Sequence, residues 1–325
     1  MKESISTALK DWVPYKLFDA SGIAHCRWLY VGDENFTEPF FDETILKCLK
    51  FPVNSTYYQP VSSTEILPEW SGQVASIAPT AFIFHVSRCG STLIAQLLGL
   101  NPANIVLSEV PFIDELLREG HAKKTSNNLL VKAAIDFYGI RRNELNRQLF
   151  IKADSWHIHF YKQLRELYPT VPFILLYRRP DEVMRSQQKQ RGMQAVRGII
   201  DSAIFNFNLD EIANLQIDEY MAKVLESYFA AFIEILATDQ LAFPVNYNEG
   251  AITIVKKIAT ACGMALPDEE LNIMQERSGF HGKYPERHFD EPKVETAVPG
   301  YQEKVFELYN ILEKLRTDAL KQVTD

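Results

Sequence analysis

Cysteine is scarce. The 325 residues hold four (Cys26, Cys48, Cys89, Cys262), scattered and with no C-x-x-C spacing. That pattern argues against a thiolate zinc site and against a disulfide framework, and it fits a reducing compartment. Long apolar runs are also missing. Phe229 to Ala237 is broken by Glu234, so no stretch reaches the roughly 18–20 residues that span a bilayer. Positive charge is not in excess: the formal net charge is −8, which argues against a nucleic-acid polymer as partner. It leaves room for a small anionic ligand, which answers to local charge. Met1-Lys2-Glu3-Ser4-Ile5 opens no signal peptide. Internal repeats and low-complexity tracts are absent. The expectation is a soluble cytoplasmic protein with no membrane contact. It is long enough for one large α/β domain or for one domain with an added subdomain.

The chain is organised around residues 81–100. Ala81 to Val86 is a short apolar run suited to a buried strand. Ser87-Arg88-Cys89-Gly90 is small and polar and carries one Arg. From Ser91 on, Leu93, Leu97 and Leu100 recur at helical spacing until Asn101-Pro102 stops the helix. Strand, tight loop and helix make a phosphate cradle, because loop N–H groups and the helix dipole point at one spot. Ser91 and Thr92 can add hydroxyls, and Arg88 a full charge. Against the triphosphate pattern G-x-x-x-x-G-K-[ST], His85 replaces the first Gly and Ser91 the Lys, while Gly90 and Thr92 match. Both departures argue against ordinary ATP or GTP chemistry.

Further apolar runs predict more strands, near residues 105, 149, 173 and 243. Asn104-Ile105-Val106-Leu107 runs into Ser108-Glu109. There Glu109 either lies at a ligand site beyond the strand end or favours the dipole of a helix Pro111–Arg118. Residues 125–145 read as a polar-faced helix and connector. Gln148 to Asp154 is a strand ending in Lys152-Ala153-Asp154. Ser155 to Tyr168 reads as a helix with Trp156, Phe160, Leu164 and Leu167 inward. His157 and His159 share no helical face and make a poor metal pair. Val171 to Tyr177 is a strand leading into Arg178-Arg179-Pro180-Asp181-Glu182-Val183-Met184-Arg185-Ser186, with Pro180 suited to a first helical turn. Lys189, Arg191 and Arg197 form either a steering patch or a solvated face. Ala203 to Ala237 reads as long helices with Leu225, Phe229, Phe232 and Leu236 inward. The strand Phe243–Glu249 and a helix Ile252–Cys262 follow, and Pro299 to Val323 reads as a closing helix.

Ser87-Arg88-Cys89-Gly90-Ser91-Thr92 resembles the 5′-phosphosulfate loop of the sulfotransferase family, [PS]-R-x-G-[ST]-T. The residues from Arg178 to Ser186 are similar to the family's 3′-phosphate motif, R-[ND]-P-x-[DE]-x-x-x-S. Arg178, Pro180, Glu182 and Ser186 match there, and Arg179 stands where Asn or Asp is usual. Lys152-Ala153-Asp154 occupies the strand end where cytosolic members carry Lys-Thr-His, with Asp in place of the base. Phe243–Glu249 resembles the late strand Val-x-Tyr-Glu-x-Leu. The basic, Gly-containing stretch Arg277 to Phe289 lies where members close a loop over the nucleotide, which makes Ser278 and Lys283 candidates. The resemblance covers residues 80–290 and is to the bacterial cytosolic type.

The resemblance implies a three-layer α/β/α fold with a mostly parallel sheet, of the P-loop nucleotide-hydrolase type. It implies 3′-phosphoadenosine 5′-phosphosulfate as co-substrate, adenosine 3′,5′-bisphosphate as product, a small-molecule hydroxyl or amine as acceptor, and no metal. Residues 87–92 would hold the 5′ end, and Arg178 and Ser186 the 3′-phosphate. Asp154 or Glu109 would take the acceptor proton, while Lys152 and Arg88 stabilise developing charge. The domain organisation expected is an accessory region, 1–78, before a sulfotransferase-like domain, 79–325. In the accessory region His25 to Val31 reads as a strand and Asp42 as the cap of a helix through Lys50, with Ile45, Leu46 and Leu49 inward. Pro52, Pro60, Pro68 and Pro79 then point to irregular structure. The oligomeric state stays open, a homodimer among the options. Two other readings remain: a P-loop kinase in which Arg88 replaces the Lys and Asp154 holds Mg²⁺, and a non-catalytic nucleotide-binding regulator.

Overall fold

A computed structural model describes residues 7–284, 286–288 and 299–324. The N-terminal pentapeptide and, within the basic stretch, Pro285 and Phe289 lie outside the described residues. Five strands form a parallel sheet flanked by helices. They are β4 (Ala81–His85), β5 (Asn104–Ser108), β6 (Gln148–Lys152), β7 (Phe173–Tyr177) and β8 (Ala242–Asn246), in the order β5-β6-β4-β7-β8. Every strand foreseen for this sheet is present. Ala81–His85 and Phe173–Tyr177 are buried along their whole length, as apolar runs covered on both faces must be. Parallel pairing aligns Ser108 with Lys152 and Tyr177 with Asn246. The residues that follow these strands therefore emerge at the carboxyl edge, where open α/β sheets bind ligands.

By their contacts the described residues form two compact units. One comprises Met1–Phe82, Ala95–Ala153 and Gln163–Val171; the other comprises Ile83–Ile94, Asp154–Lys162 and Pro172–Asp325. The first unit opens with a three-stranded antiparallel sheet, β1 (Trp12–Ala20), β2 (Ile23–Tyr30) and β3 (Val61–Ser63), in that order. Only β2 was foreseen. The β1–β2 turn places Ser21 and Gly22 at φ 57° and 81°, the two-residue geometry that matches strand twist. Pro14 sits where the β1–β2 register shifts, the kind of irregularity that admits a proline inside a strand. The helix Phe41–Cys48 starts one residue before Asp42, which lies in its first turn and does not cap it. Ile45 and Cys48 are buried there, but Leu46 is exposed. The helix Asn128–Tyr138 turns Val131, Ile135, Phe137 and Tyr138 inward.

In the second unit the helix Ile217–Leu236 buries Leu225, Phe229 and Phe232. Residues 203–216, expected to be helical throughout, hold only the short helix Leu209–Ile212. Asn206 has φ 57°, and its neighbours Ile204 and Phe205 are buried from turns. The segment 155–168 begins as a 3-10 turn, Ser155–Phe160, before the helix Tyr161–Leu167. The closing helix is Glu303–Thr324. Among the described residues no helix is long and apolar enough to cross a membrane.

Candidate active site

The loop after β4 is wound into an unusual backbone. Ser87 and Arg88 lie at φ 61° and 50°, followed by Gly90 at 84°. A side-chain-bearing residue in this region costs roughly 1–2 kcal/mol, so two in succession are held by what surrounds them. The buried His85 accepts the Ser87 N–H through Nδ1 at 3.1 Å. The Ser87 hydroxyl accepts from Gln187 at 3.3 Å. The buried Cys89 thiol reaches the Leu176 carbonyl on β7 at 3.6 Å. Left-handed turns of this kind gather N–H groups into an anion-binding concavity. The helix that follows, Ser91–Gly99, opens with Ser91 and Thr92, both buried.

Arg88 is the charge at this site. Its guanidinium donates to the Ser186 carbonyl at 3.4 Å and to Gln190 at 3.1 Å. Among the described residues no carboxylate pairs with it, and its buried Nε has no hydrogen-bond partner. Burial pulls it below the ordinary arginine value.

Arg178 follows β7, and its Nε donates to Glu182 at 3.1 Å. Glu182 also accepts from Asn248 at 3.0 Å. The Arg178 guanidinium lies over the Tyr247 ring, 5.1 Å from its centroid. That ring in turn lies against Gly90, where a Cβ would come within 2.0 Å of it. The loop after β4 and Arg178 thus belong to one unit and meet through Tyr247. Ser186 lies on the helix Pro180–Lys189 and reaches Arg88 through its carbonyl. Arg179 pairs with Asp181 at 2.8 Å.

The segment after the helix Asp268–Ser278 also comes to the loop. At Gly282 a Cβ would sit 3.0 Å from the Leu93 backbone nitrogen, so this backbone packs on the first turn of the cradle helix. Lys283 donates its N–H to His281 Nδ1 at 3.0 Å. Burial first, and then Lys283, Arg88, Arg287 and Arg277, hold His281 below its ordinary value. The loop is therefore a collection of cations. Ser278, by contrast, is half-buried and turns its hydroxyl back onto the Gln275 carbonyl at 2.7 Å. Arg191 and Arg197 are tied down, the first by Asp218 at 2.8 Å and the second by the Ile212 carbonyl at 2.6 Å.

The remaining candidates form two further groups. In the first unit Lys152 is fully buried at the end of β6 and ion-pairs with Glu109. The Glu109 N–H donates to the Lys152 carbonyl at 2.8 Å, and Glu109 has φ 56°. Phe40 places its ring 5.2 Å from the Lys152 ammonium. Burial, and then the Glu109 carboxylate, push the Asp42 carboxyl above its ordinary value. In the second unit Asp154 is buried and forms a capping box with His157, whose Nδ1 accepts the Asp154 N–H at 3.3 Å. Glu109 keeps 21% of its side chain exposed against 8% for Asp154, so Glu109 is the more reachable of the two carboxylates.

Reading the sequence gave no role to Tyr247, Glu182, His281 or Phe40. Glu182 was legible as part of the motif after β7. Tyr247 fell within the stretch that resembles the late strand, at the place of its Tyr, but its contacts with Gly90 and Arg178 are made across the fold and were not legible there.

Comparison with solved structures gives the sulfotransferase domain from the curacin biosynthetic pathway, at 14% identity and a TM-score of 0.50, over 74% of this chain and 99% of that one. The chain folds like a sulfotransferase domain. A sulfotransferase from Alicyclobacillus acidocaldarius aligns at 14% identity and a TM-score of 0.42, over 74% of this chain and 96% of that one. Mouse sulfotransferase SULT7A1 complexed with PAP aligns at 12% identity and 0.35, over 81% and 93%. No family model and no curated protein matches the chain. The sulfotransferase fold accounts for the sheet and for the placement of the loop after its central strand, β4.

Proposed function

We propose that the chain is a sulfotransferase that moves a sulfuryl group from 3′-phosphoadenosine 5′-phosphosulfate to the hydroxyl or amine of a small molecule. The observation that carries this reading is Arg88: a half-buried guanidinium that no carboxylate pairs with among the described residues, on a left-handed loop at a helix N-terminus. Such a group is stable beside an anion. The second grip, Arg178, is oriented by Glu182 and joined to the loop through Tyr247.

The loop N–H groups, Ser91, Thr92 and Arg88 hold the 5′-phosphosulfate, and Arg178 with Ser186 holds the 3′-phosphate. Lys283 adds charge from the segment packed on the cradle helix. Attack by the acceptor forms the new bond to sulfur while the bond from sulfur to the phosphate oxygen breaks. The acceptor proton passes to a carboxylate, and adenosine 3′,5′-bisphosphate leaves. Glu109 is the preferred base because it is the more exposed carboxylate and its backbone is held in a strained conformation. Asp154 is the alternative. Lys152 and Arg88 stabilise charge that develops in the transition state. The reading asks for no metal.

Residues 1–78, proposed as an accessory region ahead of 79–325, bring Phe40 and Asp42 to the Lys152–Glu109 pair. All four cysteines are free, in keeping with a reducing cytoplasm. Thermal unfolding in EDTA tests the reading. Adenosine 3′,5′-bisphosphate should raise the midpoint, and ATP without a divalent ion should not. Stabilisation by Mg²⁺-ATP alone would point to a kinase.

A further inference from the structure

We propose that Tyr247 is a positioning residue that couples the two anion grips, so that the grip on one phosphate depends on the other. The proposal rests on the sulfuryl-transfer reading above. Tyr247 begins the 3-10 turn Tyr247–Glu249 directly after β8. Its ring lies so close to Gly90 that a Cβ there would come within 2.0 Å, 2.4 Å and 2.5 Å of three ring carbons. The Arg178 guanidinium stands over the same ring, 5.1 Å from the centroid. A planar ring is therefore the spacer between the loop that follows β4 and the arginine that follows β7.

Each neighbour has a reason to need that spacer. Gly90, at φ 84°, takes up a conformation that only glycine reaches readily, and the ring occupies the space a side chain would use. Arg178 is held edge-on by Glu182 through Nε, which leaves its face to the ring. A guanidinium is attracted to an aromatic face, so ring and carboxylate together fix the plane in which it can receive a phosphate bidentately. Asn248, the residue after Tyr247, donates to the same Glu182 carboxylate at 3.0 Å. The turn thus holds both the spacer and the group that orients the arginine. A shift of the loop after β4 is passed through the ring to Arg178, and the reverse.

The test is calorimetric titration of the full chain with adenosine 3′,5′-bisphosphate and with adenosine 5′-monophosphate, in wild type, Tyr247→Phe, Tyr247→Leu and Tyr247→Ala. The wild type should prefer the bisphosphate by about ten-fold or more, on the order of one charge-assisted bond. Tyr247→Phe should keep that preference. Tyr247→Leu, which keeps bulk but has no aromatic face, should lower it to about three-fold or less while monophosphate affinity changes little. Tyr247→Ala should weaken both ligands, because the loop loses its support. A merely structural residue would lower both affinities together in Tyr247→Leu and leave the ratio intact, and that result would overturn the proposal. A wild type that does not bind the bisphosphate would overturn the sulfuryl-transfer reading itself.

Discussion

Glu109 enters the left-handed region, at φ 56°, just where its carboxylate meets the fully buried ammonium of Lys152. A buried cation needs its partner, and removing one member of such a pair costs about 3–5 kcal/mol. The strained backbone serves that pairing and leaves Glu109 in reach of solvent. Glu109→Gln keeps a hydrogen-bond acceptor for Lys152 but cannot take a proton. Turnover should fall about 10²–10⁴-fold, the range for loss of a general base, with bisphosphate affinity within about two-fold of wild type. Asp154→Asn should lower stability through the capping box and leave most turnover in the folded fraction. Steady-state kinetics and calorimetry on both variants decide between the carboxylates. Loss of turnover in Asp154→Asn alone would move the base to that residue.

Gly90→Ala places a methyl group 2.0 Å from the Tyr247 ring at a backbone φ of 84°. Left-handed strain alone costs roughly 1–2 kcal/mol, and displacement of the ring adds to it. Urea unfolding should show a loss of about 2 kcal/mol or more, and bisphosphate affinity should drop about ten-fold or more. A variant as stable and as tight-binding as wild type would show that the ring does not support the loop.

His281 gives the site a pH dependence. Burial, Lys283, Arg88, Arg287 and Arg277 depress its proton affinity, and the Tyr284 ring lies tilted against it with centroids 5.1 Å apart. The folded chain therefore binds fewer protons than the unfolded chain below the ordinary histidine value of 6.5. This contribution to stability is present above that pH and is lost as the pH falls through the depressed value. A bisphosphate bound as proposed should offset the local positive field and raise the proton affinity of His281, so that binding takes up a proton. Calorimetry in buffers of different ionisation enthalpy should show this uptake as the pH falls below the ordinary histidine value, and His281→Asn should reduce it. Equal uptake in both proteins would place the effect on the ligand phosphates instead.

Arg142 tests the fold independently of the site. Its buried guanidinium donates to the carbonyls of Tyr138, Ile140 and Phe137 at 3.1 Å, 3.2 Å and 3.2 Å, and stacks on Phe36. It closes the end of the helix Asn128–Tyr138. Arg142→Met removes the donor to all three; the Phe137 carbonyl keeps the Ile140 N–H at 3.4 Å, while the Tyr138 and Ile140 carbonyls lose their guanidinium donor, each at a cost of about 1–3 kcal/mol. Urea unfolding should show a loss of about 3 kcal/mol or more, with bisphosphate affinity of the folded protein unchanged.

The parallel sheet was legible because its strands are buried on both faces and read as apolar runs between loops that carry polar residues. The N-terminal sheet was not. Trp12–Ala20 carries Pro14 and mixes apolar with charged residues; its antiparallel pairing with β2 makes it a strand, and the register shift beside Pro14 accommodates the proline. Ile204 and Phe205 looked helical because they are apolar, yet they are buried from turns around Asn206. Helical spacing also put Leu46 inward, but the side chain is 62% exposed. The residues at 87–92 and 178–186 could be picked out locally, because strand, loop and helix adjoin in sequence. Tyr247 lies more than 150 positions after Gly90 and about 70 after Arg178, and no local pattern links the three.

The account stands on a metal-independent grip on a doubly phosphorylated nucleotide. Calorimetric titration with adenosine 3′,5′-bisphosphate in EDTA, for wild type and Arg88→Ala, tests this most directly. One site per chain in the wild type, weakened about ten-fold or more in Arg88→Ala, is the predicted result. No heat from the bisphosphate, with Mg²⁺-ATP bound in its place, would contradict it.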